Sequence, residues 1–141
     1  MAIVIVEIGI NHEGSMQTAL DLMYAAKWSG ASIVKFQLYN PSILMSKYHI
    51  LWNVRHKIYD IMNNYKELCD YAQELDMKIG FSIFTREFFL ANKYVDYIKI
   101  AARQLIEYPD FLKSYLKHLS LNYKDIPIFC SYRENIHIQF L

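Results

Sequence analysis

Apolar and polar positions along this chain switch between two periods, and the switching predicts alternating strands and helices. Ile3 to Ile8 is a nearly continuous β-branched run holding one carboxylate, Glu7. Such a run suits a strand buried on both faces, as in a parallel sheet covered by helices. Gly9 and Gly14 then bracket a short loop, Ile-Asn-His-Glu, and Ser15 is placed to cap the helix that follows. From Met16 to Trp28, Ala19, Leu22, Met23 and Ala26 recur on one helical face, and Gly30 supplies a stop. Ser32 to Leu38 reads as a second strand interrupted by Lys35. Pro41 ends it, and residues 40–52 read as a longer loop or insertion with some helical content.

The strongest helical stripe is Ile58, Ile61, Met62, Tyr65, Leu68, Cys69, Ala72 and Leu75, with a candidate break at Asn63-Asn64. A third strand over 77–84, a short helix over 86–93 and a fourth strand over 97–102 follow, the last carrying Lys99. Pro109 and Asp110 open another helix, with Phe111, Leu112, Tyr115, Leu116 and Leu119 on one face, and 126–131 reads as a fifth strand. Strands and helices in this order form right-handed βαβ units. The fold class is α/β, a partial (β/α)8 TIM barrel of about five parallel strands. Residues 1–131 make the barrel part, and 132–141 form a divergent tail with no assignment.

At 141 residues and 54% hydrophobic content, one domain with an ample core is expected. Fifteen Lys and Arg against fourteen Asp and Glu leave no global field for nucleic acid or an anionic membrane, so any anion site is local. Cys69 and Cys130 lack metal-ligand spacing and suit buried thiols in a reducing compartment. No apolar stretch reaches the roughly 18 residues of a membrane span, and no basic leader precedes the first strand. A cytoplasmic protein is the expectation.

Three strands each carry one charge in an otherwise apolar run: Glu7, Lys35 and Lys99. In a parallel barrel, polar groups toward the carboxyl ends of strands face the site that the βα loops build. One acid and two bases would then share a cavity suited to a small polyanion. The bland alternative is an internal salt bridge, Glu7 with either lysine, at the bottom of the barrel; buried ion pairs rarely add net stability over apolar substitutes, which favours the functional reading.

The stretch Glu7-Ile-Gly-Ile-Asn-His-Glu-Gly14, followed by Ala25-Ala-Lys and Gly30-Ala-Ser-Ile-Val-Lys-Phe-Gln37, resembles the opening of the sialic acid synthase family. Glu67 to Leu75, Phe81 to Arg86, Tyr97 to Ile100 and Pro127 to Ser131 resemble later pieces of the same barrel, so the likeness runs over about residues 3–131. It implies condensation of phosphoenolpyruvate with N-acetylmannosamine or a related N-acyl amino sugar. It assigns Lys35 and Lys99 to phosphoenolpyruvate and Glu7 to the sugar and the reacting carbons. Asn11, Gln37, Ser82 and Ser131 are the implied substrate-binding residues.

Departures from the family are as informative. Where it carries a serine and an acid after the fourth-strand lysine, this chain has Ala102 and Gln104, beside Arg103. The family's divalent metal, Mn2+ or Mg2+, is held by two histidines of later barrel strands, and a C-terminal antifreeze-like domain completes the sugar site; neither is found in this chain. His12 is tempting as a metal ligand, but its loop's histidine is not the family's ligand, and a lone loop histidine is more often structural or a support for neighbouring site residues; His49, His56, His118 and His137 read as exposed. Three readings stay open: a truncated synthase inactive alone, a synthase completed by a separate second half, and a self-associating binding or regulatory module for a small anionic metabolite.

Overall fold

Ser15 caps the first helix as its position suggests, its side chain accepting the Thr18 amide at 3.1 Å. Gly30, with φ of +82°, closes it in the left-handed conformation that glycine adopts without strain. These two signals set the boundaries of the first βαβ unit in a computed structural model that describes residues 3–84, 95–101, 110, 113–114, 117 and 128–130. The elements are β1 (Ile5–Gly9), α1 (Met16–Trp28), β2 (Ile33–Leu38), α2 (Pro41–Leu44), α3 (Trp52–Met62), α4 (Tyr65–Glu74), β3 (Lys78–Ile83), β4 (Tyr97–Ile100) and β5 (Ile128–Cys130). All five strands form one parallel sheet in the order β1-β2-β3-β4-β5.

The helix expected over 86–93, the tail 132–141, Ala102, Arg103, Gln104 and Ser131 lie outside the described residues, as do the apolar positions of the helix after Pro109. Asp110, Lys113, Ser114 and Lys117 are helical, as expected there.

Strand alternation gives the sheet two unlike faces. Val34, Phe36 and Leu38 of β2, Ile79, Phe81 and Ile83 of β3, and Ile98 and Ile100 of β4 are buried on the helix side. They belong to one core with Ala19, Met23 and Ala26 of α1, Ile58 and Met62 of α3, and Leu68, Cys69 and Ala72 of α4. Phe36 stacks on Phe81 at 6.1 Å, and Tyr65 meets Phe81 edge-on at 5.8 Å. The long apolar stripe does divide at Asn63-Asn64, into α3 and α4. In the insertion, Asn40 caps α2 by accepting the Ser42 amide at 2.9 Å.

One expectation is corrected. The β-branched opening run is not buried on both faces: Ile3, Val4 and Ile5 are exposed, Ile3 by 73%. β1 pairs with β2 on one side, and no strand among the described residues covers its other side. Among the described residues, no helix is long and apolar enough to cross a membrane.

Candidate functional site

The opposite face of the sheet collects the polar residues. Two rows cross it, set by the register: Glu7, Lys35, Gly80 and Tyr97 in one, and Gln37, Ser82 and Lys99 in the next, toward the strands' carboxyl ends. Parallel pairing fixes this convergence, because each residue is two positions from a neighbour on its own strand and beside its partner on the next.

Lys35 is the centre of the cluster and is only 8% exposed. Its ammonium forms an ion pair with the Glu7 carboxylate and donates to Ser82 Oγ at 2.9 Å. Burial, followed by the positive charge of Lys99, lowers its pKa to about 8. The Glu7 carboxylate in contact favours the charged form and opposes that fall. The Glu7 side chain is about half exposed, so the pair has one dry member and one wet member. It sits at mid-strand, beside the row that holds Lys99, rather than at the bottom of the barrel.

Gly9 shapes the edge of the cluster. Its φ is +59°, and a Cβ there would lie 3.2 Å from Glu7 Oε1 and 3.3 Å from Gln37 Nε2. The chain therefore turns tightly over both side chains as it leaves β1, where the register shifts. Beneath the lysines, the Tyr97 ring lies over Gly80, where a Cβ would come within 2.0 Å of Cε1. Burial pushes the Tyr97 hydroxyl up to about 12, so it is neutral and forms an uncharged floor.

Of the residues expected at the site, Glu7, Lys35, Gln37, Ser82 and Lys99 share this face. Asn11 does not join them. It is exposed in the turn after β1, its amide donating to the Ile8 carbonyl at 3.0 Å, and it lines a separate cavity of about 450 Å³ with Leu51, Arg55 and Ile58. His12 is buried, as its structural reading required. Its Nδ1 accepts the Gly14 amide at 3.3 Å and its ring packs edge-on to Phe36. Burial lowers its pKa, which keeps it neutral. His56, expected to be exposed, is half-buried instead: its Nδ1 lies 3.0 Å from the Trp52 carbonyl oxygen and its Nε2 3.2 Å from Ser42 Oγ, tying α3 to α2.

Two features escaped the sequence reading. The Gly80–Tyr97 fit was signalled only by a glycine inside an apolar strand, which marks a close approach. Arg55, which donates from Nη1 to the Tyr39 hydroxyl at 3.1 Å just past the end of β2, left no signal, because its partner lies on another element. A second cavity, of about 750 Å³, opens at the other end of the strands among Lys27, Ser32, Asp76 and Lys78. It contains none of the clustered residues.

The fold of the chain has counterparts in solved structures. The chain superposes on N-acetylneuraminic acid synthetase of Leptospira borgpetersenii, solved in complex with citrate, with a TM-score of 0.74 at 20% identity over 89% of this chain and 42% of that one. It superposes on the spore coat polysaccharide biosynthesis protein SpsE of Bacillus subtilis with a TM-score of 0.61 at 24% identity over 91% and 35%. Over 44 residues it is 50% identical to the N,N'-diacetyllegionaminic acid synthase of Legionella pneumophila, a match of 31% of this chain and 12% of that protein. The chain is a partial TIM-barrel-type domain, similar in fold to sialic acid synthases.

An uncharacterized protein of Methanocaldococcus jannaschii is 31% identical to this domain over 114 residues, which are 75% of this chain and 32% of that protein. The domain spans less than half the length of each of these relatives. No family model matches it. Among the described residues, no group of three or more His, Cys, Asp or Glu could hold a metal ion.

Proposed function

We propose that this chain is the donor-binding half of a nonulosonic acid synthase, holding phosphoenolpyruvate for condensation with N-acetylmannosamine or a related N-acyl amino sugar. The observation that supports this most is the convergence of Lys35 and Lys99 around Ser82 on one sheet face, with Glu7 at its wetter side. Phosphoenolpyruvate carries a phosphate and a carboxylate. Two ammonium groups balance them in a place where burial strengthens each charge–charge contact. Ser82 and Gln37 supply hydrogen bonds to the donor, with Ser131 proposed to add another.

Glu7 suits the proton transfers. Partly solvated and paired with Lys35, it lies within reach of a second substrate arriving from solvent. In the proposed reaction the enol carbon attacks the sugar aldehyde as the aldehyde oxygen takes a proton from solvent. Water then adds to the cationic centre so formed, giving up a proton to Glu7, and the tetrahedral intermediate collapses to the 2-oxo acid as phosphate departs with C–O cleavage and carries off the hydroxyl proton. The family's Mn2+ or Mg2+ does not fit the described donor set, in which the one carboxylate, Glu7, is already paired with an ammonium. No step is assigned to it.

By itself the chain binds the donor without turnover, and a complementing second half supplies the rest of the barrel and the sugar contacts. Titration of the purified chain with phosphoenolpyruvate by calorimetry tests this reading. Binding that Lys35→Ala abolishes is the expected result, and binding unchanged in that variant would count against the site. With N-acetylmannosamine and Mn2+ added, no phosphate release is expected from the chain alone. The open edge of β1 favours a second reading, a non-catalytic module for a small anionic metabolite. Phosphate release on adding a separately expressed second half would eliminate it.

A further inference from the structure

Anion binding uses the charge of Lys35 but not its nucleophilicity. We propose that Lys35 also forms an imine with small 2-oxo acids, its buried Nζ attacking the carbonyl carbon while Lys99, on β4 across the Ser82 strand, holds the acid's carboxylate. This activity would share the site with phosphoenolpyruvate binding but does not depend on it.

Four groups from four strands assemble the chemistry. An amine becomes a carbonyl nucleophile at moderate pH when it is desolvated or set next to a second cation, and Lys35 is both. Lys99, two residues above the Tyr97 floor, occupies the row one step nearer the mouth, so an acid entering from there meets an ammonium beside the nucleophile. Glu7, in contact with Nζ, is placed to relay protons, and Ser82 Oγ, 2.9 Å away, orients the amine. The charged and titratable groups facing Lys35 are Glu7 on β1 and Lys99 and Tyr97 on β4, and Tyr97 stays neutral.

The step balances without an oxidant. The neutral amine's lone pair forms the C–N bond as the C=O π electrons move to oxygen. Glu7 takes the proton released from nitrogen and returns it to that oxygen, giving a carbinolamine. Protonation of the hydroxyl breaks the C–O bond, water leaves, and the nitrogen lone pair forms the iminium. Hydride from cyanoborohydride, the added reductant, converts the iminium to a stable secondary amine.

The test uses the whole chain, pyruvate and cyanoborohydride from pH 6.5 to 9, with adducts mapped by peptide mass spectrometry. At neutral pH an amine titrating at about 8 has on the order of a hundredfold more neutral form than an ordinary lysine. The expected result is an adduct, one pyruvate less one oxygen atom, on Lys35 at a rate at least roughly tenfold above that on exposed Lys47. Its yield should rise as the pH passes about 8, be lost in Lys35→Arg, and fall in Lys99→Met. Adducts spread over surface lysines with no preference for Lys35, or none at all, would overturn the proposal. Mapping on the unmodified sequence keeps the outcome decisive if a variant does not fold. Phosphoenolpyruvate titrations on the same samples separate the two ideas: trapping without binding removes the synthase reading alone, and Lys35-dependent binding without trapping removes the imine alone.

Discussion

Lys35 must stay charged to hold an anion, yet the fold weakens its hold on the proton. The sign of the linkage follows directly. With its pKa lowered to about 8 from the 10.5 of an ordinary lysine, folded Lys35 binds fewer protons than the unfolded chain between those two values. Stability therefore rises with pH across that window, while the ammonium needed for phosphoenolpyruvate is lost. Affinity for phosphoenolpyruvate should fall as pH passes about 8, whereas melting experiments over the same range should show no loss of stability from this residue. Lys35→Arg, charged throughout, should flatten the binding profile; a steep profile in that variant would place the titration elsewhere. Gly9 offers a second test at this scale. Gly9→Ala forces a side chain into a left-handed turn, at a cost of about 1–2 kcal/mol, and presses on Glu7 and Gln37. It should lower both the melting temperature and donor affinity, and a variant that loses stability alone would show that the turn does not shape the site.

At the level of elements, the sheet is held by side chains that the sequence displays and by one fit that it hides. Gly80→Ala should destabilise the chain by about 1–3 kcal/mol through overpacking against the Tyr97 ring. In a Tyr97→Ala background the same change should cost much less, a coupling that a double-mutant cycle measures by denaturant unfolding. Additive effects would mean that the ring does not occupy that space. The contrast with the helices shows where sequence reading works. Ala19, Met23 and Ala26, or Leu68, Cys69 and Ala72, are legible because helical period and burial coincide. Lys35 and Lys99 are legible because a charge in an apolar strand requires an explanation. Asn11 lies apart from the cluster, in a turn set by a backbone bond to Ile8, a placement that no pattern in the letters shows. Arg55 was missed because its partner, Tyr39, stands sixteen positions away on another element, and no local periodicity links them. Burial of β1 was overestimated for a related reason: a β-branched run reports strand propensity, while its burial depends on which strands lie beside it.

For the molecule as a whole, the two faces of the sheet and its first edge are unequal. The helix-side core is closed, whereas Ile3, Val4 and Ile5 leave apolar surface beside a strand whose outer hydrogen-bonding groups no described strand meets. An exposed apolar edge is a template for further pairing unless something covers it. The solved synthetase on which the chain superposes is more than twice as long as the matched part, and additional chain of that kind would be one natural cover. The 141-residue chain on its own should therefore associate as its concentration rises, in a manner that depends on the edge and not on the site. Val4→Lys places a charge on that edge, since Val4 is 52% exposed and, three positions from Glu7, alternates to the other side of the strand. Sedimentation velocity should show a smaller average species for Val4→Lys than for the unaltered chain, with phosphoenolpyruvate affinity unchanged. If the variant sediments as the parent does, the edge is not the associating surface; if it also loses donor binding, edge and site are coupled through β1, and Glu7, three residues along that strand, is the residue through which the coupling would run.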